Sequence, residues 1–420
     1  MIQTFELIPG VFLRCFPDDR FKQACLSLQI VRPMCEKEAS VNSLIPAVLL
    51  RGTKNYPDLR AITLRLDDLY GAAVGTMVRR VGDYQTTGLV CGFIEDKYAM
   101  DGDEILAPMI EFLEELCFAP ILEKGAFCRD FVESEKKNLI AAIEAQRNDK
   151  RTYASNRLFE CICKKDPFGL PRMGTAAQAK KITSAGAYAH YQTILRESRI
   201  DLFYVGSCEP ERVAALLKPM FSRLERGYTP LPAQTPYNHS DPAEETEKMD
   251  VSQGRLGMGF TTDITIGDPR FAAMQVCNTV FGGGMISKLF TVIREKMSLC
   301  YDIGSGYHST KGIMSVTAGI DFDKEIMVRQ EVLSQLKECQ EGNISEIELE
   351  SAKQSLISQL RTTHDSASSI EGYYGSAALS GLSWTPEEYI RAIEAVTVQQ
   401  IAEAAKTLKL HTVYFLKGVR

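Results

Sequence analysis

Hydrophobic and polar positions follow the same succession twice along the chain. The runs GAAVGTMVRR (71–80) and YQTTGLVCGF (84–93) alternate with a period of two around a short turn, and CYDIGSGYHS (300–309) with GIMSVTAGID (312–321) does so again. Each pair predicts a β-hairpin. Behind each hairpin the apolar spacing lengthens to that of amphipathic helices. VESEKKNLIAAIEAQRND (132–149) lies over LESAKQSLISQLRTTHDS (349–366), with Glu133, Ser134, Lys136, Leu139 and Ile140 matching Glu350, Ser351, Lys353, Leu356 and Ile357. Further on, ITSAGAYAHYQTILRESRIDLFYVGS (182–207) resembles VTVQQIAEAAKTLKLHTVYFLKG (396–418). Each is a helix capped by a threonine, Thr183 or Thr397, running into a strand rich in aromatic and β-branched residues.

Such a duplication constrains the architecture before any motif is considered. Strands precede helices in both halves, which predicts an α+β fold of two homologous domains, each a mostly antiparallel β-sheet with helices packed on one face. RGYTPLPAQTPYNHSDPAEETEKMD is rich in proline and polar residues and lacks periodicity, so it predicts a linker over 226–250. An N-terminal domain over 1–225 and a C-terminal domain over 251–420 follow.

Composition then removes several function classes. With 420 residues the chain is too long for one core, in keeping with two domains. A net charge of −6 leaves no basic surplus to neutralise phosphates, so nucleic acid is not an expected partner. The longest apolar run, LIPAVLL (44–50), is too short to span a bilayer, and the first twenty residues lack the pattern of a signal peptide. The expectation is a cytoplasmic protein with no membrane association. Twelve cysteines are scattered singly, as reduced and mostly buried thiols would be, and the nearest pair, Cys161 and Cys163, has no histidine at zinc-finger spacing.

Candidate chemistry concentrates at FGGGMISKLFTVIREKMSLCY (281–301). A glycine run before a helix suggests a phosphate cradle, but GxxxxGK[ST] and GxGxxG both fail here. The preceding DPRFAAMQVCNTVF (268–281) reads as a helix, with Asp268 as cap and apolar residues at 271, 274, 277 and 281. Glycines 282–284 therefore join helix to helix. They form either a plain turn or a loop whose bare backbone can approach another chain. In the helix predicted next, Ile286, Leu289, Phe290 and Ile293 form an apolar face. Arg294 near its end either compensates the helix dipole or binds an oxyanion, and Tyr301 is either a sheet aromatic or a hydroxyl donor. Spacing leaves both pairs open. The five histidines, His190, His239, His308, His364 and His411, are isolated, and neither a zinc-binding helix motif nor a GxSxG elbow occurs. Acidic stretches such as IEDKYAMDGDE read as solvated helix starts and faces, with active-site carboxylates as the alternative.

FGGGMISKLFTVIREKMSLCYDIGSG resembles the second-domain signature of the insulinase, pitrilysin and mitochondrial-processing-peptidase family of inverted-motif zinc peptidases. The resemblance extends over essentially the whole chain, and among the branches it is nearest the YmfF type, which occurs with a related subunit of the YmfH type. It implies HxxEH on the first long helix, where two histidines hold zinc and the glutamate activates water. Here that stretch is SLIPAVLLRGT, with Ser43 and Ala47 in the histidine places and Pro46 in the glutamate place. The third ligand, counted from Glu135, falls on Ala142, and a small shift in alignment brings only Glu144 there.

No metal site and no cofactor are therefore expected in this chain, and zinc is expected in a partner. The same resemblance gives Arg294 and Tyr301 the role of orienting the substrate carbonyl, and Phe281, Gly282, Gly283 and Gly284 a role in substrate handling. It implies a non-catalytic, substrate-binding and activating subunit of a heterodimeric zinc metallopeptidase acting on peptides. Such a chain is inactive alone and pairs with an HxxEH-containing subunit of YmfH type; a homodimer also stays open. The alternative is a scaffold or peptide-binding protein with the peptidase fold and no proteolytic role.

Overall fold

Period-two alternation produces two sheets in the computed structural model, which describes residues 2–237 and 241–419; His239 lies outside them. The chain divides into two compact units, each assembled from both halves of the sequence. The first comprises Met1–Glu144, Pro171–Ala233 and His364–Ser376, and the second Ala145–Leu170, Gln234–Thr363 and Ala377–Arg420.

The sheet of the first unit contains β1 (Gln3–Ile8), β2 (Val11–Pro17), β3 (Gln23–Pro33), β4 (Ala73–Val81), β5 (Tyr84–Ile94) and β8 (Arg199–Gly206), in the order β1-β2-β8-β3-β5-β4. A small separate hairpin pairs β6 (Leu122–Glu123) with β7 (Ala126–Phe127). All neighbours in the large sheet are antiparallel except β2 and β8. One face packs on α1 (Ala39–Leu49), α2 (Leu59–Asp68), α3 (Leu106–Phe118) and α4 (Arg129–Asn148). After α5 (Lys150–Ile162), which belongs to the second unit, come α6 (Ala176–Ala179), α7 (Ser184–Glu197) and α8 (Pro210–Phe221). Leu26, Leu28 and Ile30 of β3 meet Leu113, Leu116, Tyr191 and Leu217 in one core. Each such side chain contributes about 1.5–3 kcal/mol by leaving water.

The second unit repeats the plan. β9 (Ala243–Met249), β10 (Gly254–Thr261), β11 (Asp302–His308), β12 (Ile313–Ile320) and β13 (Lys409–Gly418) are ordered β11-β12-β10-β13-β9, again with one parallel pair, β13 with β9. The helices of this half of the chain are α9 (Phe271–Asn278), α10 (Glu325–Glu341), α11 (Glu346–Arg361), α12 (Ala367–Ser380, most of it in the first unit), α13 (Pro386–Glu394) and α14 (Val398–Lys406). Thr183 and Thr397 cap α7 and α14 as expected, each accepting a backbone N–H of the first turn. No helix among the described residues is long and apolar enough to cross a membrane.

Two features depart from the sequence expectations. The stretch read as linker over 226–250 contains β9, an edge strand whose polar alternation AEETEKM hides it from a hydrophobic criterion. The boundaries 1–225 and 251–420 also miss an exchange: residues 145–170 join the second unit and 364–376 the first. The exchanged pieces carry α5 and most of α12, which directly follow the two copies of the repeated helix.

Both inserts are held by buried charge. Glu371, 1 % exposed, accepts from Ser27 Oγ (2.9 Å), Gln29 Nε2 (2.5 Å) and both Arg79 guanidinium nitrogens (3.1 and 2.9 Å). In the second unit, Leu158 and Ile162 of α5 lie over Gly257 and Gly259 of β10, where a Cβ at Gly259 would stand 2.2 Å from Ile162 Cδ1. Arg157 binds Glu245 (3.0 Å) and Glu247 (3.2 Å), and Glu247 also accepts from Tyr153 (2.6 Å) and Tyr414 (2.9 Å). Beyond α5, Asp166 meets Lys311 at 3.0 Å with both side chains at most 1 % exposed, and Lys311 also donates to the Thr235 carbonyl (2.8 Å).

Removing one partner of a buried pair leaves an uncompensated charge, so Asp166→Ala should cost about 3–5 kcal/mol in urea unfolding, and Asp166→Leu with Lys311→Met should recover most of it. A loss under ~1 kcal/mol for the single variant would show that the pair does not anchor the insert. Burial pushes the Glu247 carboxyl up, yet hydrogen bonds from Tyr153, Tyr414 and Arg157 outweigh this and hold it below the ordinary value. A depressed carboxyl stabilises the fold at neutral pH and gives up that contribution as pH falls through the acid range. Glu247→Gln is accordingly expected to flatten the acid limb of the urea midpoint plotted against pH.

Candidate functional site

Helix α1 carries the positions that would have to bind zinc, and its local bonding is that of a structural helix. The Ser43 hydroxyl donates to the Ala39 carbonyl (2.7 Å), a back-bond to its own helix. Pro46 lies inside the helix and has no N–H to give to the Asn42 carbonyl. Gln85 of β5 places its amide nitrogen near the carbonyls of Ala39 (3.0 Å) and Arg172 (2.8 Å) and near Ser43 Oγ (3.1 Å). With two hydrogens it serves two of these at a time. Asn42 Nδ2 donates to Gln85 Oε1 (2.9 Å), so Asn42 Oδ1 accepts from His190 Nε2 of α7 at 2.7 Å. Burial lowers the pKa of His190, which favours its neutral form.

The zinc implied by the resemblance does not fit this donor set. Ser43 spends its proton on its own helix, while Ala47 and Ala142 have no donor atom. Ala142 and Glu144 are both exposed on α4. Glu135, the reference carboxylate, is bound instead to Arg51 just past α1 (3.3 Å). Among the described residues no group of three His, Cys, Asp or Glu could hold a metal ion. His190 had read as isolated, yet it reaches Asn42, the residue beside Ser43, because α7 packs against α1.

The glycine stretch in the second unit is built differently from the expected helix–turn–helix. From Thr279 to Gly283, and again from Leu289 to Lys296, the backbone winds as π-helix. Wide turns of this kind are rare and occur frequently at functional sites. Between them, Gly284 is extended, and Met285 and Ile286 stand out at 80 % and 48 % exposure. Two expectations are corrected. Phe281 is fully buried, so its ring packs in the core and cannot touch a substrate; Ile286 lies in the exposed turn and not on the apolar face. Leu289 and Ile293 do fill the core.

Each glycine answers a different constraint. A Cβ on Gly282 would come within 2.6 Å of Leu289 Cδ1 and 2.8 Å of Ser305 Oγ, so this position requires glycine for packing. At Gly283 the neighbour would be Asn278 Nδ2 at 2.9 Å, whereas Gly284 has room for a methyl group. A cavity of about 440 Å³ opens beside the turn, bounded by Gly284, Met285 and Ile286 and by Ala352 and Ser355 of α11.

Arg294 and Tyr301 are brought together. Arg294 Nε donates to the Tyr301 carbonyl (3.1 Å), its guanidinium lies over Phe290 (4.6 Å to the ring centre), and Nη1 approaches Glu295 (3.3 Å). Ser298, at φ +51°, turns the chain from the π-helix toward Tyr301, whose N–H is fixed to the Gly319 carbonyl (2.8 Å). The Tyr301 side chain is 60 % exposed, and its hydroxyl donates to Asp321 Oδ1 (2.8 Å). That hydrogen bond, with the charge of Asp321, raises the tyrosine pKa and keeps the phenol protonated. Lys324 Nζ, 2.9 Å from Asp321 Oδ2, is the first cause of a lowered aspartate pKa. Asp321 and Lys324 escaped the sequence reading, since the spacing DFDK signals only a helix start after β12.

Residues 181–356 match the peptidase M16 inactive domain. The probable inactive metalloprotease YmfF of Bacillus subtilis strain 168 is 31 % identical over 416 residues, spanning 97 % of this chain and 96 % of its own. A conserved protein from Enterococcus faecalis V583 superposes with a TM-score of 0.91 at 31 % identity, over 99 % of this chain and 98 % of that one. The peptidase M16 inactive domain from Pseudomonas fluorescens shares the fold, with a TM-score of 0.81 at 20 % identity over 99 % and 98 % of the two chains. With similarity along the whole chain and a helix α1 that has no zinc donors, this protein belongs to the insulinase-type M16 peptidase family as a non-catalytic member of the YmfF type, lacking the HxxEH motif.

Proposed function

We propose that this chain is the substrate-binding and activating subunit of a heterodimeric zinc metallopeptidase that acts on peptides. A related subunit of YmfH type, bearing HxxEH, holds the zinc and the base, and Arg294 and Tyr301 act in trans on the scissile carbonyl. The complex is cytoplasmic. One observation carries this reading: Arg294, on the second π-helical stretch, donates through Nε to the main-chain carbonyl of Tyr301, so its guanidinium is tied to the residue whose exposed phenol stays protonated. A positioned pair of donors is what stabilises a developing oxyanion, whichever chain carries it.

Three further features support it. Among the described residues Arg294 Nη2 has no hydrogen-bond partner, which leaves a donor for a carbonyl oxygen. The phenol is engaged by Asp321 on the surface, and an exposed bond of this kind is weak enough to be exchanged when a better acceptor arrives. The exposed Met285 and Ile286, with the cavity beside them, give the turn an apolar surface for an extended peptide. A pure scaffold would have no need of a donor pair at this turn.

Purified alone, the chain is expected to leave a fluorogenic peptide uncut, and mixing with the HxxEH-bearing subunit should start cleavage. Within that complex Arg294→Ala and Tyr301→Phe should each lower kcat by about 10²-fold while the subunits remain associated in gel filtration. Unchanged kcat in both would assign the chain to a scaffolding role. Gly282→Ala must push Leu289 and Ser305 aside, and an overpacked core of this kind loses about 1–3 kcal/mol, read as a lower urea midpoint together with reduced activity of the complex.

A further inference from the structure

A second concave site lies in the first unit, with no part in the chemistry above. The β6–β7 hairpin, the start of α4 and the start of α7 enclose a cleft of about 880 Å³, within the range of small-molecule sites. Its walls carry five cations on a chain whose net charge is −6. Among the described residues the side chains of Lys124, Arg129, Lys180 and Lys181 make no hydrogen bond or salt bridge. The fifth, Lys136, is paired with Glu133 (2.6 Å) and also donates to the Ile182 carbonyl (3.2 Å). The other carboxylate of the wall, Glu123, accepts the backbone N–H of Arg129 (3.3 Å). Glu123 also feels the charge of Lys124, and Glu133 that of Arg129, so five cations against two carboxylates leave the wall a surplus of three positive charges.

Backbone geometry adds to this potential. Helix α7 runs for 14 residues from its Thr183 cap, and Ser184 and Ala185 of its first turn line the cleft. Helix α4 runs for 20 residues from Arg129 on the opposite wall. Their positive dipole ends reinforce the cations. The hairpin turn, with Lys124 at φ +50° and Gly125 at φ +78°, projects Lys124 from the third side.

We infer that this cleft binds a compact, multiply charged phosphate anion of diphosphate or triphosphate size. Cations supplied from three elements around one volume suit adjacent phosphates. An extended acidic peptide instead spaces its same-side carboxylates roughly 7 Å apart along a line. Inorganic polyphosphate and the phosphate tail of a nucleotide share this chemistry, and the cleft is electrostatically suited to either.

Calorimetric titration of the full chain at low ionic strength tests the inference with sodium triphosphate, ATP and hexaglutamate. Triphosphate is expected to bind one per chain and to weaken steeply with added salt. Equal affinity for ATP would identify the phosphates alone as the ligand, and tighter ATP binding would identify a nucleotide. Lys180→Glu with Lys181→Glu should weaken triphosphate binding by about tenfold or more, and Lys337→Glu, on an exposed stretch of α10, should leave it unchanged. Should the double variant fail to fold by circular dichroism, Arg129→Gln is expected to weaken binding in the same direction. The inference is overturned by no triphosphate binding at low salt, by tighter hexaglutamate binding, or by folded wall variants that titrate like the unsubstituted chain.

Discussion

Everything in this fold depends on burying charge with its partner already in place. Glu371 is buried on the sheet of the first unit against a half-buried Arg79, and in the second Asp166 meets Lys311 with both side chains almost inaccessible to water. A lone ion at such a depth would cost several kcal/mol, so the inserts are stable only where Arg79, Ser27 and Gln29, or Lys311, are waiting for them. Those inserts, 145–170 and 364–376, come from the opposite half of the sequence. Neither half of the chain covers both faces of its own sheet. Strand β3 shows why the exchange is needed: Leu26, Leu28 and Ile30 face the helical core, while Cys25 on the other face packs against Ala367 and Ile370. Glycines 257 and 259 of β10 serve the equivalent close approach of α5.

Loss of the metal ligands has turned α1 into a purely structural helix. A zinc-binding helix must leave imidazoles and a carboxylate pointing at one ion. Here the same turns are stitched to the sheet by Gln85, to α7 through Asn42 and His190, and to themselves by Ser43. These are neutral hydrogen bonds between buried groups, which are costly to leave unmade and modest in net gain. What remains is a helix fastened to the sheet and to α7 by these bonds. The second unit has moved in the opposite direction, keeping a backbone that α-helical packing would not choose. The glycines close the first of two π-helical stretches, the turn between the two carries exposed apolar residues, and the second stretch carries the arginine that is bonded to Tyr301.

Much of this was legible in the residues. The repeated helices, the hairpins and the threonine caps follow from periodicity and capping chemistry, both local properties of the sequence. Ser43, Pro46 and Ala47 announce a lost zinc motif because neither serine nor alanine replaces an imidazole, whatever the surrounding fold. Other features were hidden for physical reasons. Strand β9 is polar because it is an edge, and π-helical winding leaves no signature in a pattern judged at 3.6 residues per turn. Phe281 beside three glycines looked available, and only its burial shows otherwise.

The sequence alone thus determined the duplicated α+β plan, the absence of a metal-binding helix motif and the arginine and tyrosine worth following, since these depend on residue type and near-neighbour spacing. Tertiary structure decided what distance along the chain conceals. It showed that α5 and α12 cross to the other half's sheet, that His190 and Gln85 converge under α1, and that Arg294 grips the Tyr301 carbonyl while Asp321 holds its hydroxyl. Each of these joins groups by packing and by the need to satisfy buried or charged atoms, and such pairings exist only once the chain has folded.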